Sequence, residues 1–325
     1  PSQNRPLVVA DVFCGVGAVC MLLAKKVKDR HKAQRNQKQK QKQSASQNGS
    51  KNQSSGGTSP EQPLLKVLAN DWNPRAIEYM KQSIAANGMD KEKDGRQSMY
   101  HRFELSCRDS YDFLFELGEE QQPTANPYAK KRKLRRRTTT KTKTNKPNDP
   151  VSGDSNDKEE QQPPPEQQSL PDHVLMNFPL EGPRFLGALR WWSWKRLEQE
   201  HEEKSTGHRP WYPRFHVYTF AWSSEPRAGD EEEMAINLVA NELLPPYVFS
   251  KDDDERNDDD NDGGDNDNAG STALTTIYRR SELNDEFGTD LSTRLVRDVA
   301  PGKVVVCVSF SVTPKLIRYM QGDYS

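Results

Sequence analysis

The chain has 325 residues, 32% of them apolar, and a mean hydropathy of -1.01. This excludes one uniformly packed domain of that length, because too little apolar surface is available to offset the entropy of ordering every residue. The net charge of -1 hides blocks of opposite sign, no apolar run approaches a membrane span, and four scattered cysteines without a C-x-x-C pair suggest neither a metal site nor a disulfide framework. Unpaired cysteines point to a reducing compartment. The chain starts at Pro1 rather than Met, with strand-like residues a few positions later, and reads as a fragment whose upstream portion is absent.

The first element is an apolar run, Leu7 to Ala10, of the kind that fits a strand buried on both faces. Asp11 ends it. The glycine-bearing turn Phe13-Cys14-Gly15-Val16-Gly17 follows, and Ala18 to Ala24 reads as the start of an apolar helix. Glycines at such a turn let a ligand approach the backbone, and the helix N-terminus offers unpaired N–H groups. Cys20 stands where G-x-G-x-x-G has its third glycine, which disfavours a pyrophosphate cradle and with it a dehydrogenase. An acidic residue before the glycines suits a cationic ligand. S-adenosyl-L-methionine, with its sulfonium and amino groups, fits; a plain buried strand-turn-helix is the alternative.

From Lys25 the composition turns to Gln, Lys, Ser, Asn and Gly, and the stretch to about Gln62 is expected to be a disordered insertion. Leu64 to Ala69 is a second strand, ending in Asn70-Asp71-Trp72-Asn73-Pro74; an acid at that place is the usual partner of ribose hydroxyls in doubly wound folds. Ala76 to Asn87 is an amphipathic helix with Ile77, Met80 and Ile84 on one stripe. Ser98 to Leu105 is a third strand, leading through Arg108-Asp109-Ser110 into a short helix over Tyr111 to Leu117. The pattern βαβαβ, with a polar residue at each strand's carboxyl end, places ligands at that edge of an open parallel sheet.

Residues 119-170 are a second low-complexity insertion, carrying the basic run Lys130 to Arg137, which reads as a nuclear localisation or nucleic-acid patch or else as a solvated insertion. Asp172 to Phe178 is a fourth strand ending in Asn177-Phe178-Pro179. A helix over Phe185 to Leu197 carries Trp191, Trp192 and Trp194, read as core packing rather than base stacking. Glu198 to Trp211 is expected to be a polar loop in which His201 and His208 are solvated. Phe215 to Ala221 is a fifth strand, Glu231 to Leu244 a helix, and residues 251-270 an acidic insertion. Thr289 to Asp298, with Arg294 and Arg297, is compact and polar, and Lys303 to Val312 is a last strand. With insertions 31-62, 119-170 and 251-270 set aside, roughly 220 residues remain, a normal size for one α/β domain.

Asp11, Asp71, Asp109 and Asn177 thus stand in a row at four strand ends. Asp71 is placed to accept from two ribose hydroxyls, Trp72 to cover an adenine ring, and Asp109 beside Ser110 to accept from the exocyclic amine, with the first turn holding the methionine portion. For each alone, a helix cap is an equally good account; the four in order are what argues for a cofactor.

The run DVFCGVGAV, ANDWNPRAIEYMKQSIAANGM, DSYDFL, DHVLMNFP and VRDVAPGK resembles the eukaryotic and archaeal tRNA (guanine-37 N1)-methyltransferases. The resemblance covers nearly all the ordered chain. It implies a class I S-adenosylmethionine-dependent methyltransferase (Rossmann-like) fold and methyl transfer to N1 of the guanosine 3′ of the anticodon. It also implies cofactor contacts from Asp11, Gly15, Gly17, Asp71, Trp72, Asp109, Ser110 and Asn177, and guanine positioning by Asn177 and Pro179. Arg294 and Arg297 are the candidates for tRNA phosphates; the alternative for Arg297 is an ion pair with Asp298 or Asp290. Ala18 stands where many relatives have Pro, Ser110 and Tyr111 where many have Gly and a basic residue, and Leu180 where Ala is frequent. In the family a small RNA-docking domain and a β-rich connection precede the first strand, and the latter supplies the Glu assigned as general base. The base is therefore expected outside this chain. The partner implied is tRNA and the expected state a monomer, in the cytoplasm, nucleus or mitochondrial matrix. The rival readings are aminocarboxypropyl transfer as in wybutosine synthesis, and a cofactor- or RNA-binding fragment without activity.

Overall fold

Each apolar run that ends in a polar residue becomes a parallel strand. A computed structural model describes residues 5–46, 64–89, 101–119, 169–205, 210–222, 230–244 and 280–323, all within one compact unit. In chain order the elements are β1 (Leu7–Asp11), α1 (Ala18–Ser46), β2 (Leu65–Asn70), α2 (Pro74–Ala86), β3 (His101–Ser106), α3 (Ser110–Gly118) and β4 (His173–Met176). A 3-10 helix (Gly182–Trp191) follows, then α4 (Trp194–Lys204), β5 (Arg214–Trp222), α5 (Asp230–Leu243), a π-helical turn (Glu282–Glu286), β6 (Ser292–Ala300), β7 (Lys303–Ser311) and α6 (Pro314–Met320).

The seven strands form one sheet in the order β3-β2-β1-β4-β5-β7-β6. Strands β1 to β5 run parallel, β7 is antiparallel to β5, and β6 is antiparallel to β7. This open, mostly parallel sheet with an antiparallel β7 is the α/β arrangement that the resemblance implies. The strand order reverses between β1 and β4, so the crevice for a ligand opens at their carboxyl ends. One face packs on α3, the 3-10 helix, α5 and α6 through Trp192, Phe215, Phe310, Leu186 and Val239. The other packs on α1 and α2 through Val9, Leu65, Val67, Ile77 and Met80. Among the described residues no helix is long and apolar enough to cross a membrane.

Five local readings are corrected. The stretch from Lys25 to Ser46 continues α1 instead of forming part of a structureless insertion. Its Gln, Lys, Arg and Ala residues are good helix formers, so a composition too polar to pack is still compatible with helix. The expected helix over Phe185 to Leu197 is broken in two. Trp192 is fully buried and donates from Nε1 to the Leu114 carbonyl (2.8 Å), and Ser193 then caps a new helix by accepting from the Arg196 N–H (3.2 Å). That helix, α4, runs through Lys204, where a polar loop was expected; Arg196, Glu200 and Lys204 form an i, i+4 ladder along it. The segment Thr289 to Asp298 supplies most of an edge strand, β6, whose exposed faces carry no alternating pattern. The basic run Lys130 to Arg137, the 251-270 insertion, residues 47–63, Ser98 at the start of the expected third strand, and His208 lie outside the described residues. His201 is not simply solvated: its Nδ1 bonds to the Trp211 carbonyl at 2.9 Å.

Candidate active site

The first turn is built by two left-handed glycines. Gly15 has φ +54° and Gly17 φ +82°, a region that residues with a Cβ rarely occupy. Gly17 is required twice over, since a Cβ there would lie 2.8 Å from Cγ of Met80 on α2. The turn is pinned from both sides: Val12 N–H donates to the Leu175 carbonyl of β4 (3.0 Å) and Cys14 N–H to the Asn70 carbonyl of β2 (2.9 Å).

Asp11 lies at the centre of this crevice. It is buried, and its Oδ2 accepts from the Cys20 thiol at 3.2 Å, while Oδ1 has no hydrogen-bond partner. Burial raises its pKa to about 6; the Cys20 hydrogen bond and the Phe13 N–H oppose the rise and the charge of Asp71 adds to it. Cys20 therefore does more than replace a glycine. Burial and the Asp11 charge keep it a thiol, and as a thiol it donates to that carboxylate. A buried acceptor oxygen with no partner, next to two glycines that keep the backbone bare, suits a cationic ammonium-bearing ligand.

Asp71 occupies the expected place but is not a free ribose acceptor. Its Oδ2 accepts from Gly15 N–H (2.9 Å) and its Oδ1 from Asn73 N–H (2.9 Å). It thus ties the first turn to the second, leaving one lone pair on each oxygen for a ligand. Trp72 is 72% exposed, its ring available for stacking. Asp109 is the N-cap of α3, accepting from Tyr111 N–H at 2.8 Å. Ser110 is buried and donates to the Val12 carbonyl at 3.3 Å, so its hydroxyl braces the end of β1. Asn177 is exposed just beyond β4, with Pro179 half-buried beside it.

Two contributions had no clear signal in the sequence. Asn70 is fully buried and joins three strand ends: its Nδ2 donates to the Val12 and Arg108 carbonyls (3.3 and 3.1 Å), and its Oδ1 accepts from Ser106 Oγ at 2.7 Å. Only its place beside Asp71 pointed to it. The second is an apolar wall. Phe13 packs on Phe178 and Phe185 with ring centroids 5.2 and 5.0 Å apart, and Leu180 is exposed next to Asn177. A cavity of about 570 Å³ lined by Glu198, Tyr212, Phe287, Thr313 and Arg318 is at the opposite edge: Thr313 follows β7, whose end pairs with Arg214 at the start of β5. It shares no residue with the strand-end constellation.

Arg294 and Arg297 are both exposed on β6, three strands from β4. Asp290, the partner considered for Arg297, bonds instead to Arg214 (2.8 Å).

No protein-family model matches the chain. A search of characterised sequences finds tRNA (guanine(37)-N(1))-methyltransferase 2 of Phaeodactylum tricornutum, 32% identical over 305 residues. The likeness is to a tRNA (guanine-37 N1)-methyltransferase. It takes in 93% of this chain, and the chain spans 37% of that relative's length. Solved structures that align include Trm5b from Pyrococcus abyssi (15% identity, TM-score 0.35, 96% of this chain and 46% of that one). Another is M. jannaschii TYW2 in complex with AdoMet (14% identity, TM-score 0.36, 95% of this chain and 71% of that one).

Proposed function

We propose that this chain is the cofactor-binding and methyl-transferring portion of a tRNA (guanine-37 N1)-methyltransferase, with S-adenosylmethionine as its cofactor and tRNA as its substrate. The observation that carries the reading is the carboxyl edge of β1, β2 and β4. There an unpartnered buried carboxylate oxygen (Asp11), a bare glycine turn, an exposed Trp72 and an exposed Asn177 converge in a chain that is 32% identical to such an enzyme.

Asp11 and the Gly15–Gly17 turn would hold the amino-acid end, Asp71 the ribose and Trp72 the adenine ring. The bound cofactor supplies an electrophilic methyl group. Asn177, whose amide both donates and accepts, orients the polar edge of the guanine, and Pro179 fixes the backbone that carries it. Phe178 and Leu180 offer an apolar wall for a base taken out of its stack. Most of the acceleration from such groups is positioning, holding N1 in line with the breaking bond. N1 also carries a proton that a base must accept as the methyl arrives. An amide cannot do this, and the family resemblance assigns that task to a Glu outside this chain.

The test has two parts. Calorimetry with S-adenosylmethionine is expected to show one site per chain. Incubation with a guanosine-37 tRNA is expected to add the mass of one methyl group to that nucleotide. A larger gain, corresponding to an aminocarboxypropyl group, would replace this reading with the wybutosine-type one. Binding of NADH in place of S-adenosylmethionine would overturn it altogether.

A further inference from the structure

The sheet's far side carries a surface that the cofactor crevice does not use. Strands β5, β7 and β6 pair in register so that Phe220 stands beside Val305 and Arg297, Tyr218 beside Cys307 and Arg294, and Trp222 beside Lys303. Paired residues share a face, so Tyr218, Phe220, Trp222, Lys303, Arg294 and Arg297 lie on one side of this half of the sheet. The helices α1 and α2, on that side, pack over β1 and β2, as the core around Val9, Val67 and Met80 shows. Trp222 is 54% exposed, and both arginines are exposed. Lys303 holds its ammonium 4.1 Å from the centre of the Phe220 ring, a cation–π contact that keeps the charge at the surface.

The acid that reaches this face, Asp290, is paired with Arg214 at the foot of β5 (2.8 Å), and the strip from Tyr218 to Trp222 carries charge of one sign. Neither β5 nor β7 contains an Asp or Glu, and the one carboxylate of β6, Asp298, pairs with Val304, whose side chain belongs to the core on the other face. Glu232 likewise bonds Thr293 on that other side (2.7 Å). An exposed Trp222 beside the half-buried rings of Tyr218 and Phe220, interleaved with cations and with the nearby acid already paired to Arg214, matches the chemistry of a single-stranded nucleic acid: a base for the open ring and phosphates for the charges. The surface is also continuous with the crevice. Phe220 N–H donates to the Pro179 carbonyl at 3.1 Å, which fixes β5 to the turn that carries Asn177. At roughly 4.8 Å per strand, β5 is one spacing from β4 and β6 three, or about 14 Å; along β5, Trp222 lies five residues beyond Val217, the partner of the last residue of β4, so it stands about 17 Å past that strand's end.

We propose that Trp222, the Phe220–Lys303 pair, Arg294 and Arg297 form a strip that stacks and holds the RNA strand flanking the target nucleotide. The proposal rests on the tRNA reading above and deepens it, since it assigns the path by which the substrate leaves the catalytic crevice. Trp222 stacks one flanking base, and the two arginines take successive phosphates without reading sequence.

The test uses this chain and an RNA hairpin reproducing an anticodon arm with guanosine 3′ of the anticodon, followed by fluorescence anisotropy over a range of salt. Trp222→Ala is expected to weaken hairpin binding about tenfold, and Trp222→Phe to restore most of it, because every aromatic ring offers a stacking face. Arg294→Ala and Arg297→Ala are each expected to lower the slope of log Kd against log salt by about 0.7 to 1. S-adenosylmethionine affinity, measured on the same samples, is expected to stay at the wild-type value in all four variants. Hairpin affinity insensitive to all of these substitutions would assign the strip to protein packing and overturn the proposal. Wild-type protein that binds S-adenosylmethionine but not the hairpin would overturn it while leaving the cofactor reading intact; protein that binds neither would defeat both.

Discussion

Asp11 and Asp172 are two buried carboxylates on neighbouring parallel strands, one just past the crevice end of the sheet and the other at its foot. Asp172, immediately before β4, is saturated. It accepts from Arg5 Nη1 and Nη2 (3.1 and 2.5 Å), Val8 N–H (2.8 Å) and Trp211 Nε1 (2.6 Å). Asp11, at the end of β1, has the Cys20 thiol on Oδ2 and a weaker approach from the Phe13 N–H, and no well-formed hydrogen bond on Oδ1. Burial works against both charges. In Asp172 the Arg5, Val8 and Trp211 donors outweigh it and hold the pKa below the usual carboxylate range; in Asp11 burial wins, and the pKa rises to about 6. Residue type and burial therefore do not separate scaffold from site. The number of donors already in place does: a saturated carboxylate closes a fold, and an unsaturated one waits for a ligand.

The largest expected effect is at the saturated end. Asp172→Ala leaves the Arg5 guanidinium, the Val8 N–H and the Trp211 N–H without their acceptor. Allowing for the partial exposure of Arg5, the cost is about 2–3 kcal/mol of stability. Denaturant unfolding measures it, and a loss below about 1 kcal/mol would break the distinction drawn here. Because the folded-state pKa of Asp172 is lowered, its contribution is present above the unfolded carboxylate value and is lost as pH falls through the folded value. The S-adenosylmethionine affinity of the remaining folded protein should not move.

At the crevice, Asp71→Ala removes the acceptor shared by Gly15 N–H and Asn73 N–H, and with it both the shape of the first turn and the ribose contact. The expected loss is about 2 kcal/mol of cofactor affinity, or roughly thirtyfold. Calorimetry with Asp71→Asn separates the two roles. An amide keeps one acceptor for the turns but loses the charge, so an intermediate loss is expected; wild-type affinity in Asp71→Asn would reduce Asp71 to a turn brace.

Asp11 allows a sharper test, because it should titrate where enzymes are assayed. Its raised folded-state pKa means that its stabilising contribution is present below the unfolded carboxylate value and is lost as pH rises through about 6. A cationic ligand reverses the balance by favouring the carboxylate. S-adenosylmethionine affinity should therefore fall about tenfold from pH 7 to pH 5 as the site protonates. Asp11→Asn should bind weakly and without that pH dependence. A flat wild-type profile would show that the unpartnered oxygen does not meet the cofactor's ammonium.

How much of this could be read from the residues depends on how local each signal is. Strands β1 to β5 were legible because buried parallel strands are short apolar runs, and the crevice followed because Asp11, Asp71 and Asn177 each end one. For Asp109 the helix-cap account weighed from the sequence is realised at α3, and Ser110 braces the end of β1; residue type alone does not separate either bond from a ligand contact at the same strand end. Asn70 was hidden because its three partners come from β1, β3 and the turn after it, contacts 36 or more residues away in the chain for Ser106, Arg108 and Val12. Strand β6 was missed because an exposed edge has no buried side to impose alternation; β7 supplies its register instead. Extension of α1 through Ser46 was missed for a related reason, since helix propensity and packing ability are different properties and only the second is reduced by a polar composition.

The smallest effect tests what the exposure of Trp72 means. A tryptophan that stands 72% exposed at the mouth of a crevice serves no core, so its removal should cost almost no stability. If its ring covers an adenine, Trp72→Ala should weaken S-adenosylmethionine binding by about 0.5–1 kcal/mol, a two- to fivefold change, and Trp72→Phe should recover most of it. The same substitutions should leave the pH dependence set by Asp11 unchanged, since ring and carboxylate would grip opposite ends of the ligand. If Trp72→Ala instead flattened that pH profile, the two residues would be acting on each other through the shared turn at Asp71. The crevice would then be one coupled unit, and not two separate contacts on a rigid strand edge.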